Sequence, residues 1–163
     1  MTDAAAQEAR RFQISDFRSF LLNASLDELK TRILASSELE ELLPIAYLTT
    51  LNNRQLARAY RYILMCWFVT DGWICPRELQ IKAAMGIWEG RYVFVQAGTG
   101  VGKTLAAVLN QLLEPEDGVI LIISPLKRLQ SSQVCSSDCS PSLLIRIPGR
   151  ITTVRLWTTC SSG

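Results

Sequence analysis

An α/β fold is predicted for this chain: a parallel sheet with flanking helices, preceded by an α-helical segment. Three observations carry it. Apolar residues recur at helical spacing through residues 1–69. Two short apolar runs, Tyr92–Gln96 and Val119–Ser124, lack an exposed face, which suits strands inside a parallel sheet. Lys103–Leu113 lies between them with helical spacing, giving a right-handed strand–helix–strand unit. The 163 residues divide accordingly into a helical segment at 1–71, an α/β unit at 72–134 and a Ser/Cys-rich tail at 135–163.

Taken in order, Thr2–Phe12 is rich in Ala, Glu and Arg and reads as helix. Ser25-Leu26-Asp27-Glu28 fits a capping box, in which the Ser hydroxyl accepts the Glu28 amide and the Glu carboxylate accepts the Ser25 amide. Leu22, Leu26, Leu29 and Ile33 form the accompanying stripe. Ser37-Glu38-Leu39-Glu40 repeats the cap pattern, and Pro44 predicts a break. Asn53 is the expected cap of a helix with Leu56, Tyr60, Ile63 and Trp67 on one face, ended by Thr70-Asp71-Gly72. Pro76 opens a short helix carrying Ile81, Ala84, Met85 and Trp88, which Gly90 stops. In Lys103–Leu113 the inward positions are Leu105, Val108, Leu109 and Leu112. After Val119–Ser124, Leu126–Val134 has helical character, and Leu143–Ile147 with Ile151–Trp157 either form a hairpin about Pro148-Gly149 or belong to a poorly ordered tail.

Composition excludes several functions. The net charge is +2, and no block is basic enough to be a nucleic-acid footprint by itself. The N-terminal stretch is polar, and the longest apolar run, Tyr62–Val69, is too short to span a bilayer, so neither secretion nor a membrane is expected. Five cysteines without a secretory signal read as free thiols. The absence of histidine removes a Ser-His or Cys-His nucleophile and leaves Cys135-x3-Cys139 without partners for zinc.

The stretch that declares chemistry is Ala97-Gly98-Thr99-Gly100-Val101-Gly102-Lys103-Thr104, a phosphate-binding loop. Gly100 and Gly102 permit backbone angles that let successive amides converge on anionic oxygens. The loop opens a helix, whose positive end faces the phosphates. Lys103 supplies a point charge for the β- and γ-phosphates, and the Thr104 hydroxyl is a ligand for Mg²⁺. The expected ligand is ATP with Mg²⁺. Ala97 stands where the strict pattern has Gly.

Two further stretches narrow the class. Pro76-x-x-x-Gln80 lies upstream, with Gln80 23 residues before Lys103; Ser124-Pro125-Leu126 ends the next apolar run, 20 residues after Thr104. Together with the loop, they resemble the first recA-like lobe of superfamily 2 helicases, most of all RecQ-like and DEAD/DEAH-box ATP-dependent DNA helicases. The resemblance covers about Gly72–Val134 and implies a partial recA-like P-loop lobe. It implies that Gln80 reads the adenine edge, that Arg77 stacks on or flanks the base, and that Ser124 with Lys127 or Arg128 touches a nucleic-acid backbone. It further implies a 3'–5' RecQ-like type, weak DNA or RNA binding, and a nuclear site, with a cytoplasmic one left open.

The family's Asp-Glu pair, which ends a later apolar strand and holds Mg²⁺, has no counterpart after residue 105, and no second lobe follows. No catalytic residue is assigned. The expectation is an ATP-binding, catalytically incomplete, truncated helicase lobe, or a chain whose last 29 residues are read from a wrong exon or frame. Other readings stand beside it. Residues 1–71 could be an interaction module with a vestigial loop, or the chain another small P-loop ATPase or kinase. Gln80 could be an ordinary helix residue, and Lys127 and Arg128 a solvated face.

Overall fold

The computed structural model describes residues 3–97, 100–114, 122–123 and 154–155. Helix α1, Asp3–Asn23, runs well past the Ala-rich start that predicted it. Helix α2, Leu26–Leu34, begins at the expected capping box: the Glu28 amide donates to Ser25 Oγ at 3.3 Å, and the Ser25 amide donates to Glu28 at 2.7 Å. These bonds hold the Glu28 carboxyl below its usual range. Leu29 and Ile33 are buried, whereas Leu22 belongs to α1 and is exposed.

Helix α3, Ser37–Glu41, is capped by Ser36, one residue before the expected start. Pro44 separates it from α4, Ile45–Leu48, as a proline without an amide hydrogen predicts. Helix α5, Asn53–Val69, takes Asn52 as its cap in a second capping box, with Gln55. It is the central helix: Ala59, Tyr62, Ile63, Met65 and Cys66 have almost no exposed surface. Asp71 and Gly72 then turn the chain through left-handed backbone angles. Helix α6, Glu78–Trp88, and helix α7, Lys103–Leu113, pack on each other and on α5. One hydrophobic cluster runs from Leu21 through α5 to Ile81, Met85, Leu109 and Leu113.

This arrangement corrects the expected α/β architecture: the described residues form a helical body, without the parallel sheet of a recA-like lobe. Tyr92–Gln96, expected as a buried strand, is extended but pairs with no strand among the described residues. Its burial alternates. Val93 and Val95 are half-buried, and Val93 sits directly over Gly86 of α6. Tyr92 and Phe94 point away and are 97% and 71% exposed. The physical reason is competition for apolar surface. The inner faces of α6 and α7 are covered by α5, so the sheet expected to cover them is not what buries them. The β pairing among the described residues is two residues long: β1, Ile122–Ile123, lies parallel to β2, Val154–Arg155. It brings part of the second apolar run beside part of the tail. Leu126–Val134 and Leu143–Ile147 lie outside the described residues.

No helix among the described residues is long and apolar enough to cross a membrane. They also hold no group of three or more His, Cys, Asp or Glu side chains that could take a metal ion.

Candidate nucleotide-binding site

Helix α7 starts as the phosphate-loop reading requires. Gly102 is its cap, at φ +74°, in the left-handed region that favours glycine. A glycine cap has no side chain to accept an amide of the first turn, which lies at the positive end of the helix. Leu105 is satisfied by a tight bond from its amide to the Gly102 carbonyl, 3.0 Å. Gly100 is also left-handed, at φ +83°. A Cβ there would meet no atom within 4 Å among the described residues, so the loop is open on that side. Lys103 and Thr104, both half-buried, occupy the first turn of α7. The Lys103 ammonium folds back over the loop and donates to the Ala97 carbonyl at 2.7 Å. Gly98 and Thr99 lie outside the described residues.

Gln80 is brought to the same place by α6. Its side chain is buried, with 6% exposure. Nε2 donates to the Val101 carbonyl at 3.0 Å and to the Gly102 carbonyl at 3.2 Å. Oε1 accepts the Arg77 amide at 2.8 Å. One carboxamide thereby ties the start of α6 to the start of α7, using both its donor and acceptor character. Arg77 caps α6, with its side chain in solvent. The structure thus gathers Arg77, Gln80, Ala97, Gly100, Val101, Gly102, Lys103 and Thr104 around one loop. The expected nucleic-acid residues Ser124, Lys127 and Arg128 lie outside the described residues.

Behind the loop stands a polar cluster that the apolar stripes did not reveal. Asn110, on α7, donates from Nδ2 to the Ala84 carbonyl of α6 at 2.9 Å. Its Oδ1 accepts from the Tyr62 hydroxyl and from Arg58 Nη2, both on α5. Arg58 Nη2 also donates to Glu114 at 2.8 Å. Burial pushes the Tyr62 phenol up to about 12 against the opposing pull of the Arg58 charge, so the hydroxyl stays protonated and donates. The available signal was Asn110 itself, a polar residue among the apolar positions of α7.

The donor set fits a triphosphate with magnesium. Left-handed glycines, the first-turn amides of α7, one ammonium and one hydroxyl lie together in sequence at the start of α7, and groups of these kinds hold phosphate oxygens and Mg²⁺. Neither a curated relative nor a solved structure matches the chain. One family does: residues 77–140, running from the cap of α6 through Lys103 and Thr104 and past Arg128, match the family model described as DEAD/DEAH box helicase.

Proposed function

We propose that the chain binds ATP with Mg²⁺ at the mouth of α7 and is a nucleotide-binding element of RecQ-like helicase type. The observation that supports this most is the left-handed Gly102 cap, with Lys103 and Thr104 in the first turn behind it. Lys103 would exchange the Ala97 carbonyl for phosphate oxygens, a stronger, charge-assisted partner. Thr104 would hold Mg²⁺, which when bound neutralises phosphate charge. Arg77, exposed beside Gln80, would flank a base. In the adenine-reading role Gln80 would release at least one of its loop carbonyls, because its single amide nitrogen already donates to two. Ser124, Lys127 and Arg128 are the residues proposed to touch a nucleic-acid backbone, with weak affinity for DNA or RNA.

Calorimetric titration of the purified chain with Mg-ATP tests the reading, with Lys103→Ala as control. Binding that the substitution weakens at least tenfold, roughly the worth of one charge-assisted contact, is expected. Equal heats from both proteins, or none from either, would reject it.

A further inference from the structure

Arg58, Gln80 and Asn110 are the buried polar or charged residues among those described. Gln80 braces the loop itself. The other two meet well inside the helical body, where the surrounding side chains are apolar. Asn is a poor helix former and position 110 is 7% exposed, so neither propensity nor solvation explains it. Its bonds do. Asn110 joins α7 to α6 through the Ala84 carbonyl and to α5 through Tyr62 and Arg58.

The placement relates this node to the loop. Ala84 follows Gln80 by one turn of α6, and Asn110 follows Lys103 by two turns of α7. The two helices are therefore laced twice along their shared face. Gln80 holds Val101 and Gly102 at one level, and Asn110 holds Ala84 at the other. Among the described residues, side-chain hydrogen bonds tie the second level to α5. Every side-chain polar atom of Tyr62 and Asn110 is bonded there, whereas the buried Arg58 Nε has no partner among the described residues. Directional bonds between buried groups favour one register of the packed helices, which apolar contact alone specifies less sharply. Arg58 reinforces that register, because its guanidinium lies over the Tyr62 and Trp88 rings and pairs with Glu114 just beyond α7.

We infer that Tyr62 and Asn110 are positioning residues for the phosphate loop. Tyr62, from α5, and Asn110, on α7, set the register of α7 against α6, and hence the place of Gly102 and Lys103 relative to Gln80. The segment 1–71 is on this account part of the nucleotide-binding unit. The ligand in this inference rests on the proposed function; the positioning itself does not.

The test uses the full chain. Tyr62→Phe removes the hydroxyl and keeps the ring beneath Arg58; Asn110→Leu removes the node at similar volume. Amide hydrogen exchange is followed without nucleotide, and Mg-ATP affinity is measured well below the unfolding midpoint. Exchange at Leu105, whose amide is bonded to the Gly102 carbonyl, is expected to rise about tenfold while α2 is unchanged, and affinity to fall about three- to tenfold, the scale of one buried hydrogen bond. Uniform acceleration over all helices, or an unchanged loop in Tyr62→Phe, would reduce the node to ordinary stability and overturn the inference. If Asn110→Leu does not fold, Tyr62→Phe decides alone. If the unaltered chain binds no Mg-ATP, the proposed function fails, and exchange at the loop still decides the positioning.

Discussion

The side-chain nitrogen of Gln80 stands 2.6 Å from where a Cβ on Gly102 would be, and it donates to the Gly102 carbonyl at 3.2 Å. Glycine at 102 therefore answers two demands: a left-handed backbone and the close approach of a buried amide. Gly102→Ala is expected to cost about 1–2 kcal/mol from the backbone angle alone, plus the displaced Gln80 bonds. Adding Gln80→Ala removes the collision and leaves the backbone cost. Thermal unfolding of the two single variants and the double variant separates the parts. Additive losses would mean that the collision is absent.

Gln80→Glu is expected to be worse than Gln80→Ala at neutral pH. A carboxylate would face the Val101 and Gly102 carbonyl oxygens, where the amide now donates. Burial beside two acceptors raises the folded pKa of such a carboxyl above its unfolded value. The variant's deficit is then full above the folded pKa and shrinks as pH falls through it, because the protonated acid can donate again. Urea midpoints between about pH 4 and 8 measure this. A deficit independent of pH would show that the side chain has left the loop.

Gly86→Ala is expected to loosen the extended segment over α6. The new Cβ would lie 2.6 Å from Val93 Cγ2, closer than packed carbon atoms approach. Overpacking of this kind costs about 1–3 kcal/mol. Val93→Ala in the same chain is expected to recover part of the loss, and Val93→Ala alone to cost less. No recovery in the double variant would place the segment elsewhere in solution.

Two thiols give the alkaline limit. Burial pushes Cys66 and Cys75 up to about 11. The folded chain then holds its protons where the unfolded chain has lost them, so stability is complete below the unfolded thiol pKa, about 8.5–9. It falls as pH rises toward about 11. Thiol-reactive dye at pH 8 is expected to label Cys66 far more slowly in the folded chain than in urea. Equal rates would mean that α5 opens readily at its C-terminal end.

The helical half of the fold was legible because its signals are local. Ser25 with Glu28, Pro44, the Thr70-Asp71-Gly72 stop and the Lys103–Leu113 span each need only a few neighbouring residues, and each appears in place. Caps slipped by one residue at Ser36 and Asn52, because Ser-Ser and Asn-Asn offer two equivalent side chains. The glycine turn into α7 was legible for the same local reason. The sheet was not, because an apolar run such as Tyr92–Gln96 does not say which surface covers it. Here α5 takes the face of α6 and α7, and only alternate side chains of the run find cover. The bonds of Gln80 to Val101 and of Asn110 to Tyr62 join residues far apart in sequence, so no spacing rule finds them.

The segment from Tyr92 to Gln96 has a practical consequence. Its outward aromatic side chains, in a segment that pairs with no strand among the described residues, make it a natural substrate for a digestive protease of aromatic specificity. Brief chymotrypsin treatment is expected to nick the chain after Tyr92 or Phe94 before any helix is cut. The two pieces, 1–94 and the loop with α7, would then stay together through Arg58, Tyr62 and Asn110. A nicked protein of this kind makes the loop an exchangeable part, replaceable by a synthetic peptide carrying any chosen residue at position 103.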